Sequence, residues 1–447
     1  MWRHSRRLTR IASTILNGSS VIDAWFNATS YQVGQVLLTL PNSFAQLGLV
    51  SGILFQLFYG TLGAWACYMT TWLYMNYRKR FEREALYSDK HEIQWYEVLD
   101  GLLGTFWKYL GLIFNTGLQV LQSAITLIGA SNLAHILNDR LDKRSWTVVL
   151  GACVIPSILI PRAQNYRVLS SVGIVMTTYT AWYMVLASIF QGKDGPVKHN
   201  APHSSLDYFL GASNILYAFG GHGLTIELTH AMKKPQKFKE IYLYAVLYIW
   251  TLTLPSAIAV YWTYGEEMLQ HSYALTRFHK SKYRDVAIVL MIIHQARRKN
   301  FFVQFGFSVL PIYLTWEKFC GIHSLPGRYL LKSAARLPVV ILVWLVALMI
   351  PFIGVINIVA AAFFTSFTIY IVPCVAFMVY HRSTSARKES KEGPPFWLPS
   401  WIWIYAINVG VVVWILVIGV GFGAWAGVRN LRRKFHLFGF FTRCYEC

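Results

Sequence analysis

Two stretches decide the fold: Tyr31-Gln-Val-Gly-Gln-Val-Leu-Leu-Thr-Leu-Pro-Asn-Ser-Phe-Ala-Gln-Leu-Gly48 and Ile215-Leu-Tyr-Ala-Phe-Gly-Gly-His-Gly-Leu-Thr-Ile-Glu-Leu228. Both read as membrane helices with a breaker near the middle. Pro41 lacks an N–H and clashes with the turn before it, so the first helix is expected to open around Leu38–Pro41. Gly220, Gly221 and Gly223 fall within four positions, each costing a continuous helix about 1 kcal/mol relative to Ala. Open backbone inside a bilayer persists only where it lines a cavity or is buried in protein. Paired breaks five spans apart are the pattern of inverted-repeat transporters. In these, substrate binds between corresponding half-helices, whose N-termini attract an anionic group. The plainer alternative is a Pro kink and a Gly packing face with no site between them.

The rest of the chain agrees with a bilayer. Of 447 residues, 55% are hydrophobic and only 14% charged, where a soluble chain carries about a quarter charged. Seventeen Trp and 26 Tyr suit aromatic belts at two interfaces. Eleven spans are expected, near 29–48, 50–76, 106–135, 146–161, 168–190, 208–231, 240–263, 284–316, 337–350, 353–380 and 398–426. They divide the chain into a basic N-terminus (1–28), a ten-helix core (29–396), an eleventh helix (397–427) and a basic tail (428–447).

The net charge of +21 sits in short clusters between apolar blocks, which argues for membrane topology and against nucleic acid. With the N-terminus cytoplasmic, 24 Lys and Arg fall in cytoplasmic segments and nine in segments opposite. That bias supports the assignment. Five more basic residues lie in the tail, which an odd number of spans puts outside. Met1–Leu16 is basic but lacks the apolar run of a signal peptide. Asn17 and Asn27 head glycosylation sequons that are chance matches if the N-terminus is inside. The six Cys are scattered and form no disulfide framework, and Glu446 spoils a prenylation box at Cys444–Cys447.

His222 and Glu227 are ionisable groups within one span, and such groups are functional candidates by default. Five residues apart, they point about 140° from each other on an unbroken helix, so contact between them is not assured. Either could carry a proton. Glu227 could equally be a buried structural acceptor. Thr39, Leu40, Pro41 and Asn42 at the first break, with Phe219, Gly220, Gly221 and His222 at the second, are the candidate substrate contacts. Gln119 and His294 could complete the lining, with Asn115 and Gln295 beside them, although ordinary interhelical hydrogen bonding would also explain these four. No metal-ligand cluster is seen, and no cofactor is expected.

Several motifs together resemble the plant auxin influx carriers of the amino acid/auxin permease family. They are Asp23-Ala-Trp-Phe26, Gln35-Val-Leu-Leu-Thr-Leu-Pro41, Gln94-Trp-Tyr-Glu-Val-Leu-Asp-Gly-Leu-Leu-Gly104 and Thr177-Thr-Tyr-Thr-Ala-Trp-Tyr183. Phe219-Gly-Gly-His222, His230-Ala-Met-Lys-Lys-Pro-Gln-Lys-Phe-Lys239, Ala335-Arg-Leu-Pro-Val-Val340, Pro394-Pro-Phe396 and the terminal Cys-Tyr-Glu-Cys447 continue in register. The resemblance implies an all-α integral membrane protein with a LeuT-type 5+5 inverted-repeat core, discontinuous helices 1 and 6, and about eleven spans. It implies import of indole-3-acetic acid with protons across the plasma membrane, a cytoplasmic N-terminus and an extracellular C-terminus. His222 matches the family's histidine of the sixth helix.

The chain departs from that family in span eight. Ala296-Arg-Arg-Lys-Asn-Phe-Phe-Val303 interrupts what should be an apolar helix, and each central Arg or Lys costs roughly 2.5–3.5 kcal/mol on insertion scales. A misassigned exon boundary, an impaired eighth helix and a charged loop lining a cavity all remain open. Alternatives to auxin import are a proton-coupled amino-acid permease, which must also hold an ammonium, and an inactive paralogue or mis-spliced form. A membrane enzyme would need clustered ligands or an activated nucleophile, and neither is found.

Overall fold

A computed structural model describes residues 20–34, 36–83, 93–159, 167–191, 196–221, 223–295, 303–323, 329–390, 394–395, 398 and 400–439. Its regular elements are helices. In chain order they begin with α1 (Val21–Val33), α2 (Val36–Leu47), α3 (Leu49–Arg83), α4 (Trp95–Leu103), α5 (Thr105–Leu137) and α6 (Lys143–Val154). There follow α7 (Arg167–Gln191), α8 (Ser205–Ala218), α9 (Thr225–His230), α10 (Phe238–Tyr264), α11 (Lys282–Gln295) and α12 (Val303–Phe319). The last are α13 (Tyr329–Ala335), α14 (Leu337–Met349), α15 (Ile353–Tyr380), α16 (Thr384–Glu389) and α17 (Trp401–Phe438).

Among the described residues, seven helices are by themselves long and apolar enough to cross a membrane. The other four expected crossings are short or split: α1/α2, α6 with its 3-10 turn Ile155–Leu159, α8/α9, and α11/α12. That division follows from the sequence, because these are the spans that carry breakers or charges. Side-chain caps fix several helix starts. Ser20 Oγ accepts from Asp23 N (3.3 Å) while Asp23 Oδ2 accepts from Ser20 N (2.7 Å), a reciprocal capping box that satisfies two orphan donors. Asp142 and Ser204 cap α6 and α8 with their own side chains.

Three expectations are corrected. The first helix does not open at Leu38–Pro41. It breaks at Gly34, the C-cap of α1, and Pro41 lies inside continuous α2. Pro41 is the sixth residue of that helix, so the only intrahelical bond it removes is the one to Leu37 O. Trp95–Leu103, left outside the expected spans 50–76 and 106–135, is a helix. The eleventh helix runs past 427 as far as Phe438. The charged insert 296–302 falls outside the described residues; α11 ends just before it and α12 starts just after.

In the interior, α2 packs along α8, while α1 lies against α7 and α10. Around them α5 packs on α11, α12, α14 and α15. The two interrupted helices are therefore the centre of the bundle, and α5 is their wall.

Candidate functional site

The two breaks meet. α8 ends at Ala218, Gly220 N turns back onto Tyr217 O (3.0 Å), and helix resumes at Thr225. A Cβ on Gly221 would lie 3.0–3.2 Å from the Cγ, Cβ and Cα of Gln32, in the last turn of α1. A Cβ on Gly223 would lie 3.0 Å from Gln119 Nε2 on α5, and one on Gly220 would overlap Thr365 of α15. The glycines thus do more than interrupt a helix: without side chains, the sixth-span backbone can lie directly against three neighbours.

One turn of α1 supplies most of the polar contacts. Ser30 Oγ shares a proton with His294 Nε2 of α11 at 3.2 Å. Tyr31 OH donates to Gln119 Oε1 of α5 at 3.2 Å. Gln32 Oε1 accepts from Tyr242 OH of α10 at 2.7 Å. A turn earlier, Asn27 Oδ1 accepts from Ser170 Oγ of α7 at 2.6 Å. All these residues are buried. Bonds of this kind, and close approach at small residues, are what hold membrane helices together where apolar burial gives no net drive.

The expected residues divide between two places. Gln119 and His294 lie at the end of α1, beside the breaks. Gly220 and Gly221 are in the second break, with buried Phe219 leading into it. Gln119 Nε2, and Asn115 Oδ1 one turn before it, have no hydrogen-bond partner among the described residues. Glu227 is buried in the first turn of α9. Thr39–Asn42 lie further along, in α2. Thr39 Oγ1 accepts from Asn214 of α8 (3.4 Å), and the Asn214 amide also donates to Ser43 Oγ (2.6 Å). Leu40 and Pro41 are buried, Leu40 within the main apolar core. Asn42 Nδ2 donates to Met268 O (2.6 Å) and His271 O (3.3 Å), so it secures the loop after α10. His222 lies outside the described residues.

Ser30, Tyr31, Gln32, Gly173 and Tyr242 were not anticipated. The signal was available: Asn27–Gln32 carries five hydrogen-bonding side chains where a lipid-facing helix would carry apolar ones. On the side of α9, a gap of about 10 Å³ bounded by Trp95, Gly223, Thr225 and Ile226, among others, adjoins the break. Trp95 of α4 is buried and closes one side of that gap. Gln94 and Glu97 tie that helix to α12, through Gln94 Nε2 to Pro311 O (2.9 Å) and Lys318 Nζ to Glu97 Oε2 (2.9 Å).

The arrangement gathers donors and acceptors at the two helix breaks, with the N-terminus of α2 starting just after the first of them. The family model for transmembrane amino acid transporter protein matches residues 17–418. The chain is 50% identical over 439 residues to Auxin transporter protein 1 of Arabidopsis thaliana, spanning 98% of this chain and 89% of that protein. It is also 50% identical to Auxin transporter-like protein 4 of Medicago truncatula, over 97% of this chain and 89% of the relative. Among solved structures, MhsT in complex with L-phenylalanine superposes with a TM-score of 0.61 at 11% identity, covering 90% of this chain and 98% of that one. At that identity the likeness concerns the fold, which is LeuT-type with its first and sixth helices discontinuous. The chain belongs to the transmembrane amino acid transporter protein family and stands among its auxin transporter-like members.

Proposed function

We propose that this protein imports auxin, indole-3-acetic acid, together with protons across the plasma membrane, with its N-terminus cytoplasmic and its C-terminus outside. The carrying observation is half-identity over nearly the whole chain to proteins named auxin transporters. Site chemistry supports it. Auxin is a flat aromatic acid without an ammonium, and the side chains bonded to the last turn of α1 are amides, phenols, hydroxyls and the His294 imidazole. The acid's carboxylate suits the N–H groups opening α2, and its indole suits the aromatic neighbours. His222 and Glu227 are the groups we assign to proton coupling, with the pH gradient as the driving force and no cofactor.

The second reading, an amino-acid permease, is favoured by the family's name and by the phenylalanine complex of the fold relative. It requires an acceptor for an ammonium, and Glu227 is the one carboxylate in a described helix turn next to the breaks. Uptake of labelled auxin in oocytes at external pH of about 5.5 and about 7.5, with neutral amino acids as competitors, separates the two. Greater uptake at the acid pH, undiminished by amino acids, is expected. Displacement by amino acids would transfer the site to the second reading, and no auxin uptake at either pH would end the first.

A further inference from the structure

We infer that His294 is a proton-binding site of the transport cycle, set where α1, α7 and α11 converge. The inference rests on the proposed proton-coupled transport and adds a group to it. His294 is fully buried near the end of α11, with its ring between two backbones. On one side Ser30 Oγ of α1 lies 3.2 Å from Nε2. On the other is Gly173 of α7, where a Cβ would come within 2.8 Å of the ring's Cδ2, 3.0 Å of Nε2 and 2.5 Å of Ser30 Oγ. Nδ1 is buried and has no hydrogen-bond partner among the described residues, and neither amide atom of the adjacent Gln295 has one.

A buried ring nitrogen left without a partner is costly. The site makes sense if something fills it during the cycle. A neutral imidazole has one N–H, so its bond to Ser30 can run in either direction. A proton taken from the outer water makes both nitrogens donors. Nε2–H then donates to Ser30 Oγ, and Nδ1–H becomes a donor that a carboxylate oxygen complements. Loss of the proton to the inner water returns the ring to the neutral state. Because Ser30 rides on broken α1 while Gly173 and His294 belong to other helices, the charge on this ring bears directly on where α1 sits.

Among the described residues, the other titratable groups of these elements lie elsewhere along them. On α1 these are Tyr31, which turns to Gln119, and Asp23, seven residues and about 10 Å below Ser30. Tyr179 on α7 lies nearly two turns past Gly173. His135 ends α5, Arg284 begins α11 about 15 Å from His294, and Glu227 lies on α9. Among the described residues, the ring's hydrogen bond is to Ser30 and none of these groups bonds to it.

The test is the pH profile of auxin uptake in oocytes, per transporter at the surface, for wild type, His294→Gln and Ser30→Ala. Wild type dependent on acid pH with His294→Gln flattened, its ratio between the two pH values falling to about one, supports the inference, provided that exchange of labelled for unlabelled auxin persists. Ser30→Ala is expected to displace the midpoint of the profile; a merely structural bond would lower uptake equally at every pH. His294→Gln with the wild-type profile overturns the inference, as does Ser30→Ala with an unmoved midpoint, which also decides the matter if His294→Gln fails to reach the surface. A wild type indifferent to pH is a different failure, that of the coupled reading itself.

Discussion

His381 gives the fold a specific sensitivity to acid. It follows α15 directly and is fully buried. Nδ1 lies 3.0 Å from Phe377 O and Nε2 lies 3.2 Å from Asn76 Nδ2. A carbonyl only accepts and an amide NH2 only donates, so the ring is held as the neutral Nδ1–H tautomer. A second proton would turn an N–H against another N–H. Burial pushes its pKa down to about 4, and the Arg387 charge pushes the same way, while the Phe377 carbonyl works against both. The sign follows from which state takes the proton. Above about pH 6.5 both folded and unfolded chains carry a neutral ring and nothing is lost. Between about 6.5 and about 4 only the unfolded chain binds the proton. Folding stability therefore falls with decreasing pH across that window by about 1.4 kcal/mol per unit, about 3 kcal/mol in all. Replacement by glutamine keeps an acceptor for Asn76 and removes the titration. Thermal unfolding of detergent-purified protein at pH of about 7.5 and about 4.5 should show wild type losing more stability on acidification than His381→Gln, whatever the variant's stability at neutral pH. Equal losses in the two proteins would refute the reasoning.

Two further outcomes follow. Glu317 and Arg336 form a buried ion pair (2.6 Å) that also reaches Ile158 O through Arg336 Nη1 (2.8 Å). Glu317→Leu or Arg336→Met alone should cost about 3–5 kcal/mol, and the two changes combined clearly less than the sum of the singles; additive losses in thermal unfolding would show that the pair is not coupled. Gly221→Ala should depress uptake more than surface abundance, because its methyl must push the Gln32 turn of α1 by a few tenths of an ångström, at about 1–3 kcal/mol. Gly354→Ala, with nothing within 4 Å of its added carbon, is the matched control and should be silent; equal effects from both would remove the steric argument.

What could be read in the sequence depended on how local the cause was. The glycine cluster Gly220–Gly223 was legible because flexible backbone acts where it stands, and the structure opens the sixth span there. Pro41 misled because a proline inside a helix removes one bond, and α2 absorbs that within the bundle while Gly34, four residues before Leu38, is where helix stops. Trp95–Leu103 lies between two expected spans, where Glu97 and Asp100 interrupt an apolar face that packs on the bundle. The partners of the α1 turn were beyond reach for another reason. Ser30 meets a residue 264 positions away and Gln32 one 210 positions away, and no local pattern encodes such pairings. Only the polar run itself was visible, and it marks a face that cannot turn to lipid.

The same contacts separate the parts that can move from the frame. Neutral hydrogen bonds join the last two turns of α1 to α5, α7, α10 and α11, and such bonds are worth about 0.5–1.5 kcal/mol apiece net. Together they amount to a few kcal/mol, the scale that ligand binding or a single proton supplies when it shifts a two-state equilibrium. The joint between α12, α14 and the turn after α6 is different in kind. There a buried carboxylate faces a buried guanidinium, and separating them would strand both charges. That cost exceeds what one substrate molecule can offset. Alternating access should therefore run through displacement of α1 about Gly34, with the sixth-span glycines giving way, while α12 and α14 stay fixed. On this account substitutions at Ser30, Tyr31 and Gln32 alter how the protein cycles, and substitutions at Glu317 and Arg336 alter whether it folds.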